Sequence, residues 1–106
     1  MSVEPRATGS RDADISERLL ADVQQALTSN TPLAIRGGNS KAFLGRPVQG
    51  TALSTAEHRG IVNYDPTELV ISVRSGTPLV ELCATLDAAG QMLPFEPPAF
   101  GAAATV

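Results

Sequence analysis

The segment with the clearest capacity for chemistry is Arg36-Gly37-Gly38-Asn39-Ser40-Lys41. It follows a short apolar run, Leu33-Ala34-Ile35, and sets two glycines, an asparagine and a serine between two cations. Glycine lets the main chain approach a ligand closely and take positive φ, so several backbone N–H groups turn toward one set of oxygens. The flanking cations balance the charge of a bound anion, and the whole makes a cradle of the kind that holds phosphate. Its spacing is not that of a Walker loop, which needs four residues between its first glycine and Gly-Lys-Ser/Thr, nor that of the dinucleotide pattern Gly-x-Gly-x-x-Gly. Taken without its surroundings, a Gly-Gly-Asn-Ser turn fits a plain connection as well as a phosphate site.

The other reactive side chains are scattered. His58 stands beside Arg59 and Gly60 in a predicted turn, with no second histidine in the chain, and reads as a surface residue rather than a metal ligand or base. Cys83 is the only cysteine and has no partner for an internal disulfide. It falls on the apolar side of a predicted helix, which makes it a buried, inert thiol. Asp65 and Glu68 bracket Pro66-Thr67 too closely for a catalytic carboxylate pair and have turn chemistry instead. Tyr64, beside that turn, suits the core better than a ligand site.

The elements that must position the glycine loop follow from periodicity. Ile15, Leu19, Val23 and Leu27 recur every four residues, with Leu20 and Ala26 widening the stripe, and predict an amphipathic helix. Asp14 with Glu17 fits a capping box at its start, and Asn30-Thr31-Pro32 stops it. Leu33-Ala34-Ile35 predicts a buried strand running straight into the loop, and Thr51–Ser54 and Ile61-Val62 predict two more. Leu69–Arg74 is the strongest strand pattern in the chain; with the preceding turn it predicts a hairpin. Thr77 as N-cap and Pro78 at the first helical position open a second helix, whose apolar face is Leu79, Leu82, Cys83, Leu86 and Ala89 and whose left-handed stop is Gly90. Beyond it, Pro94, Pro97, Pro98 and Gly101 enforce a loop. The order is that of an α+β layer, a helix, then a short mixed sheet, then a second packed helix.

Composition bounds what such a chain does. At 106 residues it has the size of one domain, and Leu, Ile, Val and Phe make up about a quarter of it, enough to exclude wholesale disorder. Aromatic residues are 4% and Trp is absent, so the core is aliphatic and thin. A net charge of −3 without runs of like charge argues against a nucleic-acid surface. No apolar stretch approaches a membrane span and Met1–Ser10 has no secretory h-region, so a cytoplasmic chain is expected.

Pro32, the apolar strand, Arg36-Gly37-Gly38, Ser40 and Gly45 together resemble the first pyrophosphate loop of the FAD-linked oxidases of the vanillyl-alcohol oxidase type, whose domain is the PCMH-type FAD-binding fold. Longer runs, Gly37 to Pro47, His58 to Ile71 and Gly90 to Pro94, are similar to the FAD-binding subunits of bacterial glycolate oxidases. The resemblance covers about residues 14–106, leaving 1–13 as a flexible leader. In this family the pair resembling Ala104-Thr105 leads into a second phosphate-contacting loop, so the chain corresponds to an N-terminal part truncated before that loop.

The resemblance implies FAD as cofactor, with its pyrophosphate on Arg36, Gly37, Gly38, Asn39, Ser40 and Lys41, and no catalytic or metal-binding residue in this stretch. Where family members commonly carry a further glycine, this chain has Asn39, which also tolerates left-handed backbone angles. Some relatives tether flavin through a histidine at the place of Ser40, which cannot form that bond, so FAD is expected to be non-covalent here. Oxidation of a 2-hydroxy acid such as glycolate is implied, with partner subunits that include a second flavoprotein and an iron–sulfur protein, and peripheral association with the inner membrane through that complex. Val70, Leu82 and Leu86 are expected to be incompletely covered, and the 106 residues alone to be inactive. The other reading of the same elements is a non-catalytic module that binds a nucleotide or a partner protein.

Overall fold

The computed structural model describes residues 12–40, 42–95 and 103–106. In chain order the elements are α1 (Ser16–Ser29), β1 (Leu33–Arg36), β2 (Thr51–Ser54), β3 (Ile61–Asp65), β4 (Val70–Val73) and α2 (Leu79–Ala88). The α+β class and the order agree with the sequence pattern. The one short mixed sheet expected is instead two separate two-stranded sheets: β1 runs parallel to β2, with Leu33 opposite Thr51 and Arg36 opposite Ser54, and β3 pairs antiparallel with β4.

Parallel neighbours need a crossover of a dozen or more residues, because the chain must return to the same end before pairing. Residues 37–50 are that crossover, and the glycine loop is its first part. It therefore leaves the carboxyl end of β1, the end where open sheets commonly receive ligands.

Both helices end on Schellman hydrogen bonds. Asn30 takes φ 54°, and the amides of Asn30 and Thr31 reach back to Leu27 and Ala26; Gly90 takes φ 71°, and the amides of Gly90 and Gln91 reach back to Asp87 and Leu86. The starts differ from expectation. Glu17 closes no capping box; the Asp14 carboxylate instead accepts the N–H and hydroxyl of Ser16, and Ile15 is the N-cap. Pro78, not Thr77, caps α2. The Thr77 hydroxyl is committed to Gly60, accepting its N–H at 2.9 Å and donating to its carbonyl at 3.3 Å.

The buried core is Leu53, Leu82, Leu86 and Ala104 around the fully buried Thr77. Leu82 and Leu86 are thus covered, contrary to the expectation drawn from the resemblance, whereas Val70 is half exposed as expected. Ile35, expected in a buried strand, is 70% exposed, and the α1 stripe is only partly covered: Leu27 is 76% exposed and Leu20 57%. The described residues lay a second layer over neither surface. Cys83 is exposed rather than buried, because α2 turns Leu82 and Leu86 inward. Leu69 falls outside β4, at φ 59° in the turn that Asp65 closes with its carbonyl and carboxylate. Ala13, expected in the leader, exchanges backbone hydrogen bonds with Arg59, so ordered chain begins before α1. Residues 1–11 and the predicted loop residues Pro97, Pro98 and Gly101 lie outside the described residues.

Candidate anion-binding site

The entry to the glycine loop is clamped to the end of β2, where the Arg36 carbonyl accepts the Thr55 N–H at 2.9 Å and its hydroxyl at 3.4 Å. The next two residues press against residues 103–105. A Cβ placed on Gly37 would lie 2.3 Å from the Thr105 hydroxyl oxygen, and one on Gly38 1.6 Å from the Ala103 carbonyl oxygen. Close approach rather than backbone angle therefore demands glycine at Gly38. The left-handed residue of the loop is Asn39, at φ 61°, and asparagine tolerates that region better than most side chains.

The segment under the loop is itself fixed. Ala104 accepts the Leu79 N–H at 2.9 Å, Val106 donates to the Thr77 carbonyl at 2.9 Å, and Thr105 bridges Pro78. Main-chain bonds to the start of α2 and side-chain bonds from Thr77 to Gly60 thus continue the support away from the loop.

Above the loop lies a groove of about 610 Å³, within the range of small-molecule sites. It is lined by β1 with Gly37, Gly38, Asn39 and Ser40, by Leu44, Arg46 and Val48 of the crossover, and by Thr105. Among the described residues, the backbone amides of Gly37, Gly38, Asn39 and Ser40 donate to no protein acceptor. Among the described residues no carboxylate lines the groove, although the chain carries 11 acidic residues. Arg36 and Arg46 do. Free amides, two cations and no competing anion form a donor set that fits a diphosphate. A second cleft of about 320 Å³ between α1 and the β1–β2 pair carries Asp22 and no cation, and suits no phosphate.

A family model described as FAD binding domain matches residues 14–106. The chain belongs to the FAD-binding domain family. FAD is accordingly its cofactor. The chain is also 62% identical over 95 residues to the glycolate oxidase subunit GlcE of Escherichia coli (strain K12), an alignment covering 90% of this chain and 27% of that relative. The chain thus spans about a quarter of the length of the curated relative it matches. No solved structure matches it.

Of the residues that this family membership brings into question, Arg36, Gly37, Gly38, Asn39 and Ser40 are together at the groove, and Lys41 lies outside the described residues. Arg46 and Thr105 also line it, and neither was singled out from the sequence as a binding residue. Arg46 follows Gly45, whose φ of 76° turns the chain there, so a glycine turn within the crossover was the signal available for it. Thr105 had none, since its contact depends on the tertiary approach of Gly37.

The remaining candidates are structural. His58 is half-buried rather than on the surface: its Nδ1 accepts the Ile15 N–H at 3.1 Å, which leaves the ring proton on Nε2 and docks the start of α1. Asp14 lies 3.8 Å from that nitrogen. The Ser16 hydroxyl and amide hold the Asp14 carboxyl below its ordinary value of 3.8, with smaller help from Arg74 and His58. Tyr64 donates to Gln91 Oε1, and Gln91 Nε2 donates to the Pro66 carbonyl, so the tyrosine ties the hairpin to the end of α2. Arg59 pairs with Glu81 at 2.8 Å and joins the β2–β3 connection to α2. Among the described residues, no helix is long and apolar enough to cross a membrane.

Proposed function

We propose that the Arg36–Lys41 loop holds the pyrophosphate of FAD, and that the chain is the pyrophosphate-binding portion of a subunit that oxidises a 2-hydroxy acid. Glycolate is the substrate to which the similarity to GlcE points. The observation that carries this reading is that Gly37 to Ser40, whose amides have no acceptor among the described residues, line a groove together with Arg36 and Arg46 and with no described carboxylate. In such a subunit, FAD supplies the acceptor for the hydride that leaves the 2-hydroxy acid. This chain's own residues bind and orient. The amides of Gly37 to Ser40 donate to phosphate oxygens, Arg36 offsets their charge, and the bare Gly38 keeps the loop seated on Ala103.

Ser40 offers no nitrogen for a bond to flavin, so this segment holds FAD non-covalently. Residues 1–106 alone hold FAD weakly and do not turn over glycolate, since a partial site bears nearly the full entropic cost of immobilising the ligand. Partner subunits, among them a second flavoprotein and an iron–sulfur protein, carry electrons onward, and the complex gives the chain its peripheral membrane association. Support for a complex comes from the subunit name of the similar protein.

The test is competition. FAD is titrated into the protein while flavin fluorescence is followed, and inorganic pyrophosphate, ADP, adenosine and riboflavin are added in turn. Reversal by pyrophosphate and ADP but not by riboflavin is expected. Reversal by riboflavin alone would overturn the loop as the site.

A further inference from the structure

The described arginines divide into two groups. Among the described residues, Arg18 pairs with Glu57 at 2.9 Å, Arg59 pairs with Glu81, and Arg74 donates to the Arg59 carbonyl at 3.2 Å. Arg36 and Arg46 make no ion pair with a described residue, and both line the groove above the glycine loop. Two guanidinium groups on one groove thus gain no ion pair from the described residues. An anion in the groove would supply one.

We infer that Arg46 is a second phosphate-binding residue, meeting the diphosphate in the groove it shares with the loop. The inference rests on the proposed site and deepens it. Arg36 sits where β1 ends, so its charge lies at the loop's entry; Arg46 is set on the returning limb of the crossover, after the Gly45 reversal at φ 76°. A planar guanidinium offers paired N–H groups that match phosphate oxygens, which lysine does not.

Calorimetric titration of the protein with ADP and with adenosine, for wild type, Arg46→Gln, Arg46→Lys and Arg18→Gln, tests this. Arg46→Gln should weaken ADP binding about five- to tenfold, leave adenosine unchanged and flatten the salt dependence of ADP affinity. Arg46→Lys should recover only part of the loss, and Arg18→Gln, remote from the groove, should match wild type. ADP binding equal in Arg46→Gln and wild type overturns the role of Arg46 while leaving the loop site standing. Absence of ADP binding in wild type overturns the site and Arg46 with it.

Discussion

Replacing Gly38 by alanine adds one methyl group, and the structure says where it goes. The new Cβ would stand 1.6 Å from the Ala103 carbonyl oxygen and 2.7 Å from its carbon, whereas ordinary contacts are about 3.5 Å or more. Something must move by about 2 Å, and both sides of the contact are backbone. The Ala103 side is tied through Ala104 to Leu79 and through Val106 to Thr77, so yielding there loosens the start of α2. Overpacking of this kind costs about 1–3 kcal/mol, a large share of the ~5–15 kcal/mol that a domain has. Gly45→Ala is the control. Gly45 has a φ of 76° but a Cβ there meets nothing within 4 Å, so only the left-handed strain of about 1 kcal/mol remains. Urea unfolding of the two variants should put Gly38→Ala below Gly45→Ala in midpoint, with Gly38→Ala also losing affinity for ADP. A Gly38→Ala midpoint at or above that of Gly45→Ala would refute the close-approach argument.

Thr77→Val keeps the shape but removes both bonds to Gly60, leaving a buried N–H unpaired; a loss of about 1–3 kcal/mol in urea unfolding is expected, with Thr77→Ser much milder. The Asp14 carboxyl titrates below its ordinary value in the folded chain, so its stabilising effect is complete above about pH 3.8 and is lost as pH falls through the lower folded value. The amide resonance of Ser16 should report that loss in an acid titration, and Asp14→Asn should abolish the step. Flavin bound by the protein should be freed by acid or heat, because Ser40 forms no tether; yellow colour retained on a denatured peptide within residues 36–45 would contradict this.

Local chemistry made some features legible from the sequence, and long-range contacts hid others. Asn30 and Gly90 announce helix ends because a left-handed residue there satisfies the last carbonyls with neighbours only a few positions away. The crossover loop was legible for the same reason: glycines after a short apolar strand are a local pattern. Thr77 was misassigned because its hydroxyl faces a choice between capping α2 and bonding Gly60, and only the fold brings Gly60 close. His58 has no local signal of its bond to Ile15. Cys83 and Ile35 were read as buried from apolar periodicity, which marks a face as coverable without saying what covers it. Gly38 was recognised for the right residue type, but the obstacle to a side chain is Ala103, far along the chain.

The central claim is that the amides of Gly37, Gly38, Asn39 and Ser40 are phosphate donors. At 11.0 kDa the protein suits two-dimensional ¹⁵N–¹H NMR, which reads each amide separately and detects weak binding. On titration with inorganic pyrophosphate, the amides of these four residues should move together and saturate, shifting downfield as they take on a charged acceptor, while those of α1 stay in place. Saturable shifts confined to residues outside residues 36–46, with the four loop amides unmoved, would contradict the account.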